Sequence, residues 1–171
     1  MEILENREDI AAAYQKFADS YQDGRFDWRY YQYVKNKTNI PGDRIDLSQS
    51  RLAVISTAGG YLPESQESFD AESPYGDYSI RTFPITTPLD TIAYAHEHYD
   101  HAAVNDDPQV LLPFQHLETL VAEGAIGELA PSVINFMGYQ PNIIRIVDEL
   151  FPEILAILKE EQVQAALLVP A

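Results

Sequence analysis

Three histidines and one aspartate fall within six residues, in His96-Glu97-His98-Tyr99-Asp100-His101. Imidazoles and a carboxylate this close could ligate zinc or a pair of metal ions that activates water. They could also exchange protons near neutral pH, where imidazole titrates most readily. A third reading is structural, a polar loop whose side chains bond to backbone groups and to one another. The fourth histidine, His116, lies off the apolar stripe of a helix and reads as a surface residue. Cysteine is absent from all 171 residues. That excludes disulfides, thiolate zinc sites, iron–sulfur ligation and a cysteine nucleophile within them.

The elements that must position these groups follow from apolar spacing. Ile10, Tyr14, Phe17 and Tyr21 form one stripe, which predicts a helix over residues 2 to about 22, stopped near Gly24. Eight of the nineteen aromatic residues lie between 14 and 33. That density reads as an arm strapped to the domain by ring burial, with an aromatic binding box as the alternative. Asn36 to Ser50 reads as a connecting loop. Leu52-Ala53-Val54-Ile55-Ser56-Thr57 is a continuous apolar run, as in a buried strand. It breaks into Ala58-Gly59-Gly60-Tyr61, where a backbone can approach a ligand. Neither GxGxxG nor GK[ST] is present, so no nucleotide loop is inferred.

Further strands are expected at Tyr78–Phe83, Thr91–Ala95, Val133–Phe136 and Ala165–Val169. Helices are expected at Pro113–Glu123 and from Pro141 onward. Ile143, Val147, Leu150, Ile154 and Ile157 carry the second helix, and Pro152 should kink or divide it. Asp106-Asp107-Pro108 reads as a turn. This order predicts a three-layer α/β/α sandwich with a mostly parallel sheet. Residues 1–48 would form an N-terminal helical, aromatic-rich arm and 49–171 the α/β domain, a single domain overall.

Composition narrows the function classes. The net charge of −16 repels phosphate backbones and anionic membrane surfaces, so nucleic-acid and membrane binding are not expected. The sequence has no apolar run of transmembrane length, and its first residues resemble neither a signal nor a transit peptide. A cytoplasmic location is the expectation.

The string H-x-H-x-D-H is similar to the metal signature of the metallo-β-lactamase superfamily. On that reading His96, His98, Asp100 and His101 are metal ligands of a hydrolase. The further histidine and aspartate ligands of that fold have no counterpart downstream, where only His116 remains.

A second resemblance covers nearly the whole chain, Tyr14 to Ala171. It is carried by Ala95-His96-x-His98-Tyr99-Asp100-His101, Val104-x-x-Asp107, Leu120-x-x-Glu123-Gly124-x-Ile126-Gly127, Leu129-Ala130-Pro131 and Phe136-Met137-Gly138-Tyr139. The strand and turn from Arg51 to Tyr61 and the strand Ala165–Pro170 add to it. The pattern resembles the selenoprotein B family, the glycine/sarcosine/betaine reductases and their D-proline reductase relatives. The resemblance implies reductive C–N cleavage of a small amino acid or betaine, in company with partner reductase subunits. It further implies a selenocysteine or cysteine dithiol in a loop after the strand matching Ala165–Pro170. No residue of this chain can be that nucleophile. One expectation is therefore a chain cut at a selenocysteine codon; a damaged gene product and a short natural paralogue are the others.

On this reading three loops converge at the carboxyl edge of the sheet. His96, His98 and His101 would transfer protons or orient a substrate carboxylate, and Asp100 would orient a histidine. Thr57, Gly59, Gly60, Tyr99, Met137, Gly138 and Tyr139 would contact substrate, with no cofactor bound by the chain itself. A non-catalytic module that binds a small acid or a protein partner is a further alternative. Exposure of Leu167, Val169 or their neighbours on the last strand should drive homo-oligomer formation.

Overall fold

The structure is a computed structural model that describes residues 6–33, 42, 44–95 and 102–171. In chain order the elements are α1 (Arg7–Asp19), β1 (Arg51–Ser56), β2 (Gly60–Tyr61), β3 (Arg81–Pro84), β4 (Ala93–Tyr94) and α2 (Ala102–Asp106). Then come α3 (Phe114–Ala122), β5 (Glu128–Asn135), α4 (Ile143–Arg145), α5 (Phe151–Glu160) and β6 (Ala165–Val169).

Four strands form the sheet in the order β3-β5-β1-β6. β1 lies parallel to both β5 and β6, and β3 runs antiparallel along β5. The expected mostly parallel α/β sheet is the one observed. β1 is buried on both faces, which explains its unbroken apolar run. On one face Leu52, Val54, Phe83 and Val133 pack with Leu112 and with Phe114 and Leu117 of α3. On the other, Ile55 and Ile134 pack with Leu150 and Ile154. Helices on both faces give the three layers.

Two strands differ from the sequence reading. Tyr78–Ile80 is not strand; pairing begins at Arg81, opposite Asn135. The Tyr78 hydroxyl instead accepts a hydrogen bond from the Asn142 amide at 2.7 Å. The expected strand at Thr91–Ala95 shrinks to Ala93–Tyr94 and lies outside the main sheet. It pairs with Gly60–Tyr61 in a separate two-stranded ribbon.

β5 is longer than expected and runs through Pro131. Its register against β1 steps from Leu52↔Leu129 to Val54↔Val133, so β5 spends extra residues around the proline. A bulge absorbs the donor that proline lacks. The Pro131 carbonyl is used all the same, accepting from Ile85 N–H at 2.8 Å.

The last helix is divided, as its proline requires. α4 passes into a π turn, Ile146–Leu150, and α5 begins just before Pro152. The wider turn relieves the clash between the proline ring and the carbonyl one turn back. α1 ends at Asp19, before the expected Tyr21. Gly24 serves a tight turn closed by Gln22 and Arg25, with Asp23 and Gly24 both at positive φ.

Phe17 is fully buried among the rings of Phe26, Trp28 and Tyr31, at centroid distances of 4.3, 5.1 and 5.0 Å. An Arg7–Asp148 ion pair ties α1 to the π turn. None of the described helices is long and apolar enough to cross a membrane.

Candidate active site at the carboxyl rim of the sheet

The carboxyl ends of β1, β5 and β6 meet at one rim, and a run of hydrogen bonds knits them together. Thr57 N–H donates to the Val169 carbonyl at 3.1 Å, and Phe136 N–H to the Ser56 carbonyl at 3.1 Å. Gly59 N–H then donates to the Phe136 carbonyl at 3.1 Å, and Ala95 N–H to the Gly59 carbonyl at 3.0 Å. Ala58 and Met137 face each other in an isolated bridge. Ala171 N–H donates to Thr57 Oγ1 at 2.9 Å.

These contacts place Thr57, Gly59, Gly60, Met137 and Gly138 around one rim. Gly59 has φ 66°, a left-handed value that suits glycine. Its amide is spent on Phe136, so it is not free for an anionic ligand. Thr57 is half-buried; its oxygen accepts from Ala171, and its hydroxyl hydrogen remains able to donate. Met137 is only 2% exposed, whereas Gly138 reaches the surface. Tyr139 turns away from the rim, and its hydroxyl donates to the Pro74 carbonyl at 3.1 Å.

The loop before β3 braces the turn after β5. Gln140 Nε2 donates to the Asp77 carbonyl at 3.1 Å, and Gly76 sits where a Cβ would come within 2.7 Å of the Tyr139 carbonyl oxygen. Burial pushes the Asp77 carboxyl up, but hydrogen bonds from Ser79 and the Asp70 amide outweigh it and hold the group below its usual range. Burial raises the Tyr78 and Tyr139 hydroxyls. The Arg145 guanidinium lies 4.0 Å from the Tyr78 ring centroid.

His96, His98, Tyr99, Asp100 and His101 lie outside the described residues, and with them the metal-ligand alternative. Among the described residues no group of three or more histidine, cysteine or acidic side chains could hold a metal. His116 is exposed on α3, as its place off the stripe implies.

Two features escaped the sequence reading. Asn135, the last residue of β5, is fully buried, and neither its Oδ1 nor its Nδ2 has a partner among the described residues. An amide closing the run Val133-Ile134 was the available signal. The second is a cavity between the arm and the turn after β5, lined by Trp28, Tyr31, Tyr33 and Tyr139 among others. Aromatic density alone did not distinguish it from a packed arm.

The model of the family described as glycine/sarcosine/betaine reductase selenoprotein B matches residues 16–171. The chain belongs to that family. Within it, the chain is 33% identical over 123 residues to D-proline reductase subunit gamma of Acetoanaerobium sticklandii. That match covers 72% of this chain and 49% of the relative. Glycine reductase complex component B subunit gamma of Carboxydothermus hydrogenoformans is 39% identical over 88 residues, 49% of this chain and 20% of the relative. Sarcosine reductase complex component B subunit beta of Peptoclostridium acidaminophilum is 32% identical over 96 residues, 54% of this chain and 22% of the relative. The chain thus spans about half of the first relative and about a fifth of the other two. No solved structure matches this selenoprotein B family member.

Proposed function

We propose that this chain forms the substrate-facing rim of a selenoprotein-B-type reductase subunit acting on a small amino acid or betaine. The observation that carries this is the hydrogen-bonded run joining Thr57, Gly59, Phe136 and Ala95, because Ala95 leads directly into His96. One rim thereby holds the glycine turn, the end of β5 and Ala95, the residue before His96 in the sequence.

In the family reaction a selenolate or thiolate supplies the nucleophile and electron pair that displace the nitrogen. The residues present do not fit that role, since none is a cysteine. The redox group lies outside these 171 residues, and on the family pattern it would follow the strand that ends beside Thr57. The chain's own residues bind and protonate. The Thr57 hydroxyl donates to a substrate carboxylate. His96, His98 and His101 pass a proton to the departing amine, and Asp100 orients one of them. Partner reductase subunits complete the catalyst. The uncovered outer face of β6 supports self-association of this chain.

Calorimetric titration with glycine, sarcosine, D-proline and glycine betaine tests the reading. At least one should bind, and His96→Ala with His98→Ala should weaken binding or shift its pH profile. Binding of none overturns the proposal. The chain alone should release no amine when supplied with dithiothreitol; release would mean that the redox group is not elsewhere. Stoichiometric zinc, iron or manganese retained through chelator-free purification would favour the hydrolase reading instead.

A further inference from the structure

Between the N-terminal arm and the turn after β5 lies a cavity of about 210 Å³. Its walls are Trp28, Tyr31, Tyr33 and Tyr139, with Gly138, Gln140 and Pro141 beside them. The rings do not stack flat. Trp28 and Tyr31 cross at 62° with centroids 5.4 Å apart, and Tyr31 and Tyr33 cross at 80° with centroids 4.8 Å apart. Steeply crossed rings make a corner in which different walls present different π-faces.

Those faces are left in water. Trp28 is 55% exposed and Tyr33 73%, a large apolar exposure for side chains that gain most by burial. The neighbouring cation does not fill the corner, because the Arg29 guanidinium is bound to the Asp27 carboxylate. Arg145 is engaged over Tyr78. Among the described residues no charged side chain lines the cavity. Burial raises the Tyr31 and Tyr139 hydroxyls, so both phenols stay neutral through the physiological range.

The chemistry selects a ligand class. The negative face of an aromatic ring attracts a cation most when the cation surrenders little hydration. A primary ammonium would lose its hydrogen bonds to water, with no carboxylate among the described lining residues to replace them. A methylated ammonium has few or none to lose. The volume lies below that of drug-sized sites, which suits a molecule of a few heavy atoms. The net charge of −16 raises the local concentration of cations. The cavity also adjoins the rim, since Gly138 follows Met137, the residue bridged to Ala58.

We propose that the corner formed by Trp28, Tyr31, Tyr33 and Tyr139 binds the N-methylated ammonium group of a small betaine-like molecule. This rests on the reductase reading and deepens it by naming the group recognised. The arm is then a specificity element, distinguishing methylated from unmethylated amines by ring faces.

Trp28 is the chain's single tryptophan, so the emission comes from one side chain on the cavity wall, and Tyr33→Ala ties any shift to this cavity. The full chain is titrated with glycine betaine, tetramethylammonium, glycine and 3,3-dimethylbutanoate, in which carbon replaces the charged nitrogen. Betaine and tetramethylammonium should shift the Trp28 emission saturably. Glycine and the isostere lacking the cationic charge should bind roughly 3- to 30-fold more weakly, the range that a cation–π contact spans. Tyr33→Ala should weaken betaine by a similar factor, and Tyr33→Phe should retain it. Equal affinity for 3,3-dimethylbutanoate, an unshifted emission, or an unaffected Tyr33→Ala each overturns the proposal. Calorimetry in parallel separates the two readings. Betaine heat with silent Trp28 emission, unchanged in Tyr33→Ala, rejects the corner and keeps the reductase site. A tetramethylammonium response with no heat from any of the amino acids or betaine rejects the reductase site and leaves a bare cation pocket.

Discussion

Gly60 and Asn135 are matched across the rim: a Cβ on Gly60 would lie 2.7 Å from Oδ1 of Asn135 and 3.2 Å from its Cγ. Gly59 is fitted to its place by a left-handed backbone, but Gly60 is fitted by space. The buried amide thus fixes the identity of a glycine on the ribbon that leads toward the histidine string.

Gly60→Ala should destabilise the fold by about 1–3 kcal/mol, the range for overpacking. Combined with Asn135→Ser, which removes Oδ1 from the clash, it should cost less than the two single changes added together. Urea denaturation of the four proteins checks this. Strict additivity would mean that the two residues do not compete for the same space.

Asn135→Leu replaces an amide lacking hydrogen bonds among the described residues with an apolar group of similar size. It should raise stability by about 1–2 kcal/mol, because burying an unsatisfied amide is costly. Thermal unfolding measures it, and a lowered midpoint would show that the amide is hydrogen-bonded in solution.

Tyr14, Tyr31, Tyr78 and Tyr139 all hold their phenolic protons beyond the ordinary value near 10, with burial the leading cause in each. Above that value the folded state keeps protons that the unfolded state releases. This stabilisation is complete below about pH 10 and is lost as pH rises through the raised values. The melting temperature should therefore fall on the alkaline side. Tyr78→Phe should flatten that fall while costing about 1 kcal/mol at neutral pH, because Asn142 N–H loses its acceptor. An unchanged alkaline slope would reject Tyr78 as a contributor.

Phe17→Ala removes the ring at the centre of the arm cluster and should cost about 3–5 kcal/mol. Trp28 packs against that ring at a tilt of 54°, so its emission should move to the red even in the folded state. An unmoved emission would show that the arm's rings hold their places without Phe17.

Leu168 is 69% exposed on β6, opposite Ile55 in register, whereas Leu167 and Val169 are half-buried against the α3 side. The sticky face of the strand is therefore the one carrying Ala166 and Leu168, the neighbours of Leu167 and Val169 rather than those two residues themselves. The chain should be a dimer or larger at micromolar concentration by light scattering, and Leu168→Glu should lower its mass. A wild-type monomer would rule the contact out.

The sequence by itself determined the layered α/β order, because continuous apolar runs and 3.6-residue stripes record burial directly. Val54, Ile55 and Ile154 had to be inside whatever packed on them. It also determined that no thiol chemistry resides in these residues, which is a matter of composition. It placed a divided helix at Pro152, since a missing donor acts locally. Tertiary structure alone decided which strands pair. Ala93–Tyr94 left the sheet to pair with Gly60–Tyr61, and β5 continued through Pro131 on a bulge. Pairing joins residues far apart in the chain, and local pattern carries no record of the partner. For the same reason Asn135 and the crossed rings of Trp28, Tyr31 and Tyr33 gained meaning only from what lies beside them. A buried amide and a binding corner are properties of neighbours, and the fold alone supplies neighbours.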